Sequence, residues 1–321
     1  MPSLHAFTKD EQERAKLWLA TQVASMMGRK LEEGDWSRVY CRAKGIPETA
    51  WSNLHIDVNY QGLGLEMKLL RITKKLNGKP IKSVCGTSLM HPAATRSIRI
   101  SDISRPASEV MEDVFRQYAE LIEERAARVR EGARGKEPDM RVGWLLWEST
   151  LTEFLYFEER LVAPSCENFF AEWHENASKG ARKSSKNLWI YDRATGKKRY
   201  SVTTSAGVKI QPYFDVPPPS DENLYYFRAQ SEPADAETVR LWISAATARA
   251  LESRLGSLQR AVVSAAIVDA AGRAGDGGQV FGGQEELAVG VDISRQAHTC
   301  MAAWNAVSDE HRARLLLQAL S

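Results

Sequence analysis

The chain contains no run approaching the ~18 consecutive apolar residues that a membrane-spanning helix requires, so no membrane is expected among its partners. Its first residues become charged within a short distance (Lys9, Asp10, Glu11) and hold no apolar h-region, so no secretory signal is expected. Cysteine is scarce and scattered: Cys41, Cys85, Cys166 and Cys300 form no CxxC pair. Structural zinc needs clustered Cys/His ligands, and a disulfide framework needs more cysteines in a shorter chain, so both are excluded. Four reduced thiols in a cytoplasmic protein are the expectation. His55, His91 and His174 show no HxxxH spacing. The glycine-rich stretch from Gly272 to Gly283 lacks G-K-[ST] and follows no predicted strand, so it reads as a surface loop and no nucleotide cofactor is expected. There is no internal repeat.

The 321 residues are 43% hydrophobic and 26% charged, the composition of a globular protein with ample core, and the net charge is only +2. The distribution of that charge is uneven. Leu69 to Arg105 holds eight Lys/Arg (Arg71, Lys74, Lys75, Lys79, Lys82, Arg96, Arg99, Arg105) against Asp102 alone. Lys179 to Arg199 holds eight more (Lys179, Arg182, Lys183, Lys186, Arg193, Lys197, Lys198, Arg199) against Asp192, while acids concentrate along 109–131. Two basic tracts on a near-neutral chain suit a polyanion-binding cleft, and they also suit solvated surface loops.

Hydrophobic periodicity and turn chemistry predict a mixed α/β (α+β) fold with a central mixed sheet flanked by helices. Thr8-Lys9-Asp10-Glu11 is a capping box that opens a helix to about Gly28, with Ala15, Trp18, Leu19, Val23 and Met26 as its buried stripe. Residues 29–52 are mixed. Leu54–Asn59 alternates as a half-buried strand, Gln61-Gly62-Leu63-Gly64 turns the chain, and Leu65–Leu70 begins the returning strand. A second return at Leu76–Lys79 leads to a predicted short strand near Ile81–Cys85. Pro106 opens a long helix to about Arg134, Arg141–Glu148 reads as a central strand, and Thr152–Leu161 leans towards strand. Asn187–Asp192, Lys198–Thr203 and Val208–Phe214 look like three antiparallel strands. Val216–Ser220, with three prolines, reads as a linker or boundary, and helices are expected over 235–255, 256–272 and 309–320.

Strand parity concentrates chemistry on the first hairpin. Side chains two apart share a face, so Glu66 and Lys68 point the same way. The turn brings Asp57 alongside them, His55 and Asn59 share its face, and Ile56, Val58, Leu65, Met67 and Leu69 face the core. Two converging carboxylates suit a hard divalent ion, and an adjacent lysine can orient or deprotonate a water and neutralise charge on a phosphate. A cross-strand ion network on an exposed face would use the same residues.

Asp57 followed by Glu66-Met67-Lys68, with a helix before and a long helix and buried strand after, resembles the PD-(D/E)xK nuclease superfamily, the fold group of most type II restriction endonucleases. The resemblance covers roughly residues 8–148, and Ile56 stands where the name-giving proline would be. It implies a restriction-endonuclease-like core in which Asp57, Glu66 and Lys68 are catalytic. Asp57, Glu66 and the Met67 carbonyl would hold Mg²⁺ (or Mn²⁺ in its place), and Lys68 would handle the attacking water. The implied function is sequence-specific hydrolysis of double-stranded DNA by a homodimer in a bacterial or archaeal cytoplasm. The alternatives are a structure-specific or repair nuclease and a non-catalytic DNA-binding protein. An additional carboxylate near the first helix is open to Glu11, Glu13, Glu32 or Glu33, with capping the better role for Glu11.

The expected organisation is a catalytic core over 1–165 and a β-hairpin and helical region over 166–321 for DNA recognition or dimerisation, the two forming separate domains or one continuous one. Candidate DNA contacts are Arg71, Lys74, Lys75, Arg96 and Arg99 from the first tract, and Lys183, Lys186, Lys197, Lys198 and Arg199 from the second. In the second tract Trp189, Tyr191 and Tyr200 interleave with cations, as on a β-ribbon that enters a groove, or simply as on a structural hairpin with a wet face.

Overall fold

Thr8 and Glu11 exchange the expected bonds: the Thr8 N–H donates to Glu11 Oε2 at 2.8 Å and the Glu11 N–H to Thr8 Oγ1 at 3.2 Å. The helix they open, α1 (Lys9–Met26), buries Ala15, Leu19, Val23 and Met26. The structure is a computed structural model that describes residues 3–26, 28–47, 56–73, 75–92, 98–177, 184–204, 209–271 and 286–320. Where mixed structure was expected after residue 28, a second helix forms, α2 (Glu33–Lys44). Trp36, Val39, Tyr40 and Ala43 give it a buried stripe at helical spacing. A capping box between Glu32 and Asp35 starts it, and Gly45 at φ 67° ends it.

The first hairpin pairs β1 (Val58–Tyr60) with β2 (Leu63–Arg71). Its turn is tighter than the four residues expected. Gln61 and Gly62, at φ 48° and 90°, are both left-handed, which matches the right-handed strand twist that a two-residue hairpin requires. Leu54 and His55, which the predicted strand included, lie outside the described residues. Asn77 and Gly78 make the second return, again left-handed. The strand expected at Ile81–Cys85 is instead a 3-10 turn, Ile81–Val84. Ile81 and Val84 are both buried, and residues three apart eclipse one another on a 3-10 helix, so apolar spacing of three wins over alternation.

A short strand β3 (Ser88–Met90), helix α3 (Ala107–Glu131), and strands β4 (Asp139–Trp147) and β5 (Glu153–Arg160) follow. Beyond them come β6 (Phe169–Asn176), β7 (Ser185–Asp192), β8 (Lys198–Thr203), β9 (Lys209–Asp215) and β10 (Tyr225–Arg228). The C-terminal part holds β11 (Glu232–Pro233), β12 (Thr238–Ile243), α4 (Ala245–Leu255), α5 (Arg260–Ala270), β13 (Val289–Ser294), α6 (Arg295–Ala302) and α7 (Asp309–Ala319).

The fold is mixed α/β. The first sheet has the order β1-β2-β4-β5-β10, with β2 and β4 parallel and the other pairs antiparallel. A parallel pair needs a long crossover, and α3 lies within it. Leu65, Met67, Leu145, Tyr156 and Phe227 on one face pack with Phe7, Trp36 and Tyr40 around α1 and α2. Trp144, Leu146, Leu155 and Phe157 on the other face pack with Ile81, Leu89 and Phe214. The second sheet, β3-β9-β8-β7-β6, lays Leu188, Ile190, Val202 and Ile210 on Val110, Val114 and Phe115 of α3. A third, β11-β12-β13, shares its core with α4 to α7.

The three middle strands, the long helix and the central strand stand as predicted. The helix expected over 235–255 is corrected: Thr238–Ile243 is a strand, and α4 starts only at Ala245 behind the Ser244 cap. The expected boundary at 165 is crossed in both directions, since β10 completes the first sheet and β3 edges the second. Val216–Ser220 joins β9 to β10, running from one sheet to the other.

Candidate active site

The hairpin register pairs Val58 with Leu65 and Tyr60 with Leu63, and Asp57, the residue before β1, lies near enough to Glu66 to feel its charge. β1 begins at Val58 while β2 continues to Arg71, and among the described residues no strand pairs with the outer edge of β2 over its second half. Side chains finish that edge. Asp57 Oδ2 accepts the Met67 N–H at 2.6 Å, and His91 Nε2 donates to the Leu69 carbonyl at 3.0 Å. Such main-chain groups are costly to leave unbonded, so the short β1 fixes where the Asp57 carboxylate must sit.

Glu66 and Lys68 share one face of β2, as parity requires, above Val142 and Trp144 of β4. Lys68 Nζ lies 2.8 Å from Glu66 Oε1 and 3.8 Å from Glu33 Oε1. Arg125 of α3 donates from Nη1 to Glu66 Oε2 at 2.8 Å. Gly64 permits this approach: a Cβ there would meet Val129 Cγ2 and Met140 Sδ at 2.7 Å. The site therefore gathers three carboxylates and two cations from α2, β2, α3 and the residue before β1.

Burial, and after it the Glu66 charge, raises the Asp57 pKa to about 6 against the opposing pull of the Met67 N–H and Lys68. Burial and Glu66 also push Glu33 up, while Lys68 pulls it down. Burial works against the Lys68 ammonium, but Glu66, Glu33 and Asp57 outweigh it and hold its pKa above the ordinary lysine value. Lys68 is thus a held cation. Burial, reinforced by Lys68, drives His91 down to about 4 despite its bond to the Leu69 carbonyl. It is therefore neutral, with Nε2 carrying the proton and Nδ1 buried without a hydrogen-bond partner among the described residues.

No protein-family model, curated protein or solved structure matches the chain. What bears on function is therefore the chemistry of these residues. The groups that could ligate here, the carboxylates of Asp57, Glu66 and Glu33, offer oxygen donors, which suit a hard divalent ion. Asp57 and Glu66 would hold it, with the Met67 carbonyl as third ligand. Among the described residues no group of three or more His, Cys, Asp or Glu is arranged to hold a metal, and each oxygen of Glu66 already meets a cation.

A cleft of about 650 Å³ lies between the start of α2 and the end of β2, lined by Glu32, Leu69, Arg71, Pro92 and Trp147 among others; of the site's three carboxylates, Glu33 lines it. Of the predicted DNA contacts, Arg71 lines this cleft, its guanidinium 5.7 Å from the Trp147 ring centre. Lys75 donates to the Ser88 carbonyl, and the Arg99 main chain is bonded to Gln117 of α3. Lys186 donates to the Ile103 carbonyl beside Trp173, Lys197 and Arg199 both meet Asp215, and Lys198 sits 3.7 Å over Trp189. The second tract is therefore largely engaged within its own sheet. Lys74, Arg96 and Lys183, together with the glycine-rich stretch 272–283, lie outside the described residues.

Glu11 is a cap and also pairs with Lys44, so it does not join the site. Glu33 does, from the start of α2. The stripe Trp36-Val39-Tyr40-Ala43 following an acidic run was the signal for that helix. Arg125 carried no local signal, because only the crossover of α3 behind β2 brings it to Glu66.

Proposed function

We propose that the chain is a Mg²⁺-dependent type II restriction endonuclease that cleaves double-stranded DNA at a specific sequence. The observation that supports this best is that the Asp57 carboxylate is held at the Met67 N–H, between Glu66 and Lys68 in sequence, while those two side chains meet at 2.8 Å on one face of β2. Asp57 and Glu66 would hold Mg²⁺, or Mn²⁺ in its place, which would supply a Lewis acid and an activated water. Lys68, kept charged by the carboxylates around it, orients the water and neutralises the developing negative charge on the phosphate. Arg71, which lines the neighbouring cleft with Glu33, meets the DNA backbone. Cutting both strands of a palindrome needs two such sites, which a homodimer provides.

Plasmid DNA incubated with the protein and Mg²⁺ tests this. A discrete fragment pattern is expected, with Asp57→Asn and Lys68→Ala each slowing cleavage by roughly 10²-fold or more. A smear would favour a structure-specific or repair nuclease. Absence of cleavage with either Mg²⁺ or Mn²⁺ on several unmethylated DNAs would leave D57, E66 and K68 as an ion network on a DNA-binding or structural protein.

A further inference from the structure

The guanidinium on Glu66 is the component of the site that the hairpin does not explain. Glu66 is nearly buried, with 14% of its side chain exposed, and its two oxygens meet two different cations at 2.8 Å. One of those contacts must yield before Glu66 can ligate a metal. Lys68 is the harder one to move: it stands on the same strand, lies 3.8 Å from Glu33, and feels the Asp57 charge as well. Arg125 is held to Glu66 by a single Nη1 bond and approaches from α3, with 22% of its side chain exposed. Its main chain is nevertheless fixed. Val129, one helical turn further along, packs at the bare Cα of Gly64, so α3 cannot carry Arg125 away from the site.

We propose that Arg125 is a phosphate-directed cation of this site, parked on Glu66 in the metal-free chain and released from it when a divalent ion binds. The proposal rests on the nuclease reading and adds to it a residue with two successive partners. A guanidinium offers a planar fork that matches two phosphate oxygens as well as it matches a carboxylate. Once off Glu66, Arg125 lies beside the carboxylate whose metal the scissile phosphate must approach. Arg125 neutralises Glu66 before the metal binds and the phosphate afterwards.

The two roles make opposite demands on one substitution. Arg125→Met removes a competitor for Glu66, so Mn²⁺ binding to the full chain without DNA, read by electron paramagnetic resonance, is expected to tighten by about tenfold. The same variant lacks the phosphate cation, so its cleavage at saturating Mg²⁺ is expected to fall by about 10²-fold. Arg125→Lys retains the charge and is expected to restore most of that cleavage, which also guards against misfolding of the methionine variant. A purely structural salt bridge predicts weaker Mn²⁺ binding in R125M, and that result overturns the proposal. Unchanged Mn²⁺ affinity, or unchanged cleavage at saturating Mg²⁺, overturns it as well. If wild-type protein cleaves and R125M matches it in both assays, only the role of Arg125 falls. If wild-type protein neither binds Mn²⁺ nor cleaves, the nuclease reading falls with it.

Discussion

Asp57 has a backbone duty and a titration that can be separated. Its carboxylate caps the Met67 N–H, while burial and the nearby Glu66 lift its pKa from 3.8 to about 6. The folded chain therefore holds this proton more tightly than the unfolded one. The stability it contributes is fully present below about pH 4 and is lost as pH rises through about 6. Asp57→Asn keeps an oxygen for the Met67 N–H but cannot titrate. Metal-free wild-type protein should consequently lose about 2 kcal/mol relative to D57N between pH 4 and pH 7, measured by urea unfolding at each pH. Equal pH slopes in the two proteins would show that Asp57 is not strained in its charged form. Its closeness to Glu66 across the hairpin was legible from residue order, although the turn is two residues rather than the four expected. Glu33 was not singled out among four candidate glutamates, because proximity to Lys68 depends on where α2 begins.

Between elements, the critical contact is α3 against β2 at Gly64. Its backbone is not left-handed, so the glycine is there for space: an added methyl would sit 2.7 Å from Val129 Cγ2 and from Met140 Sδ. Met140 can rotate away, but Val129 is a buried β-branched residue with little freedom. Gly64→Ala is expected to cost roughly 1–3 kcal/mol in chemical denaturation and to loosen the Arg125–Glu66 pair. A neutral substitution would mean that α3 is not tightly seated. Elements with strong local signals, such as the Thr8–Glu11 cap, the alternating β7 to β9 and the apolar β4, could be read directly from residue order. The failures share a cause, namely competing periodicities over a short span. Thr238–Ile243 alternates Val239, Leu241 and Ile243 into the core, but it adjoins an alanine-rich helix and merges with it in a longer window. Ile81 and Val84, three apart, fit a 3-10 turn better than a strand.

For the whole molecule, chain order and architecture diverge, and this has a consequence for any attempt to isolate the catalytic half. The first sheet ends in β10, whose Tyr225 and Phe227 enter the same core as Trp36, Leu65 and Met67. Tyr225 also secures the N-terminal segment, its hydroxyl lying 3.1 Å from the Ala6 N, 3.0 Å from the Phe7 N and 3.2 Å from the Phe7 carbonyl. A fragment ending at residue 165 loses this strand and leaves the edge of β5 unpaired beside an opened aromatic core. An exposed apolar edge of that kind pairs with other chains. The same cut strips β9 from β3, and with it the Phe214 ring that stacks 4.0 Å from Trp144 behind Lys68. The fragment 1–165 is therefore expected to lack a cooperative unfolding transition and to aggregate. A fragment ending at residue 231 keeps both five-stranded sheets and should unfold cooperatively, though less stably than the full chain, since α1 then loses Trp242 and Ala288 from its outer face. Circular dichroism melts and size-exclusion profiles of the two fragments decide the matter. A well-folded, monomeric 1–165 would show that the Asp57–Glu66–Lys68 hairpin needs none of the second half to hold its shape.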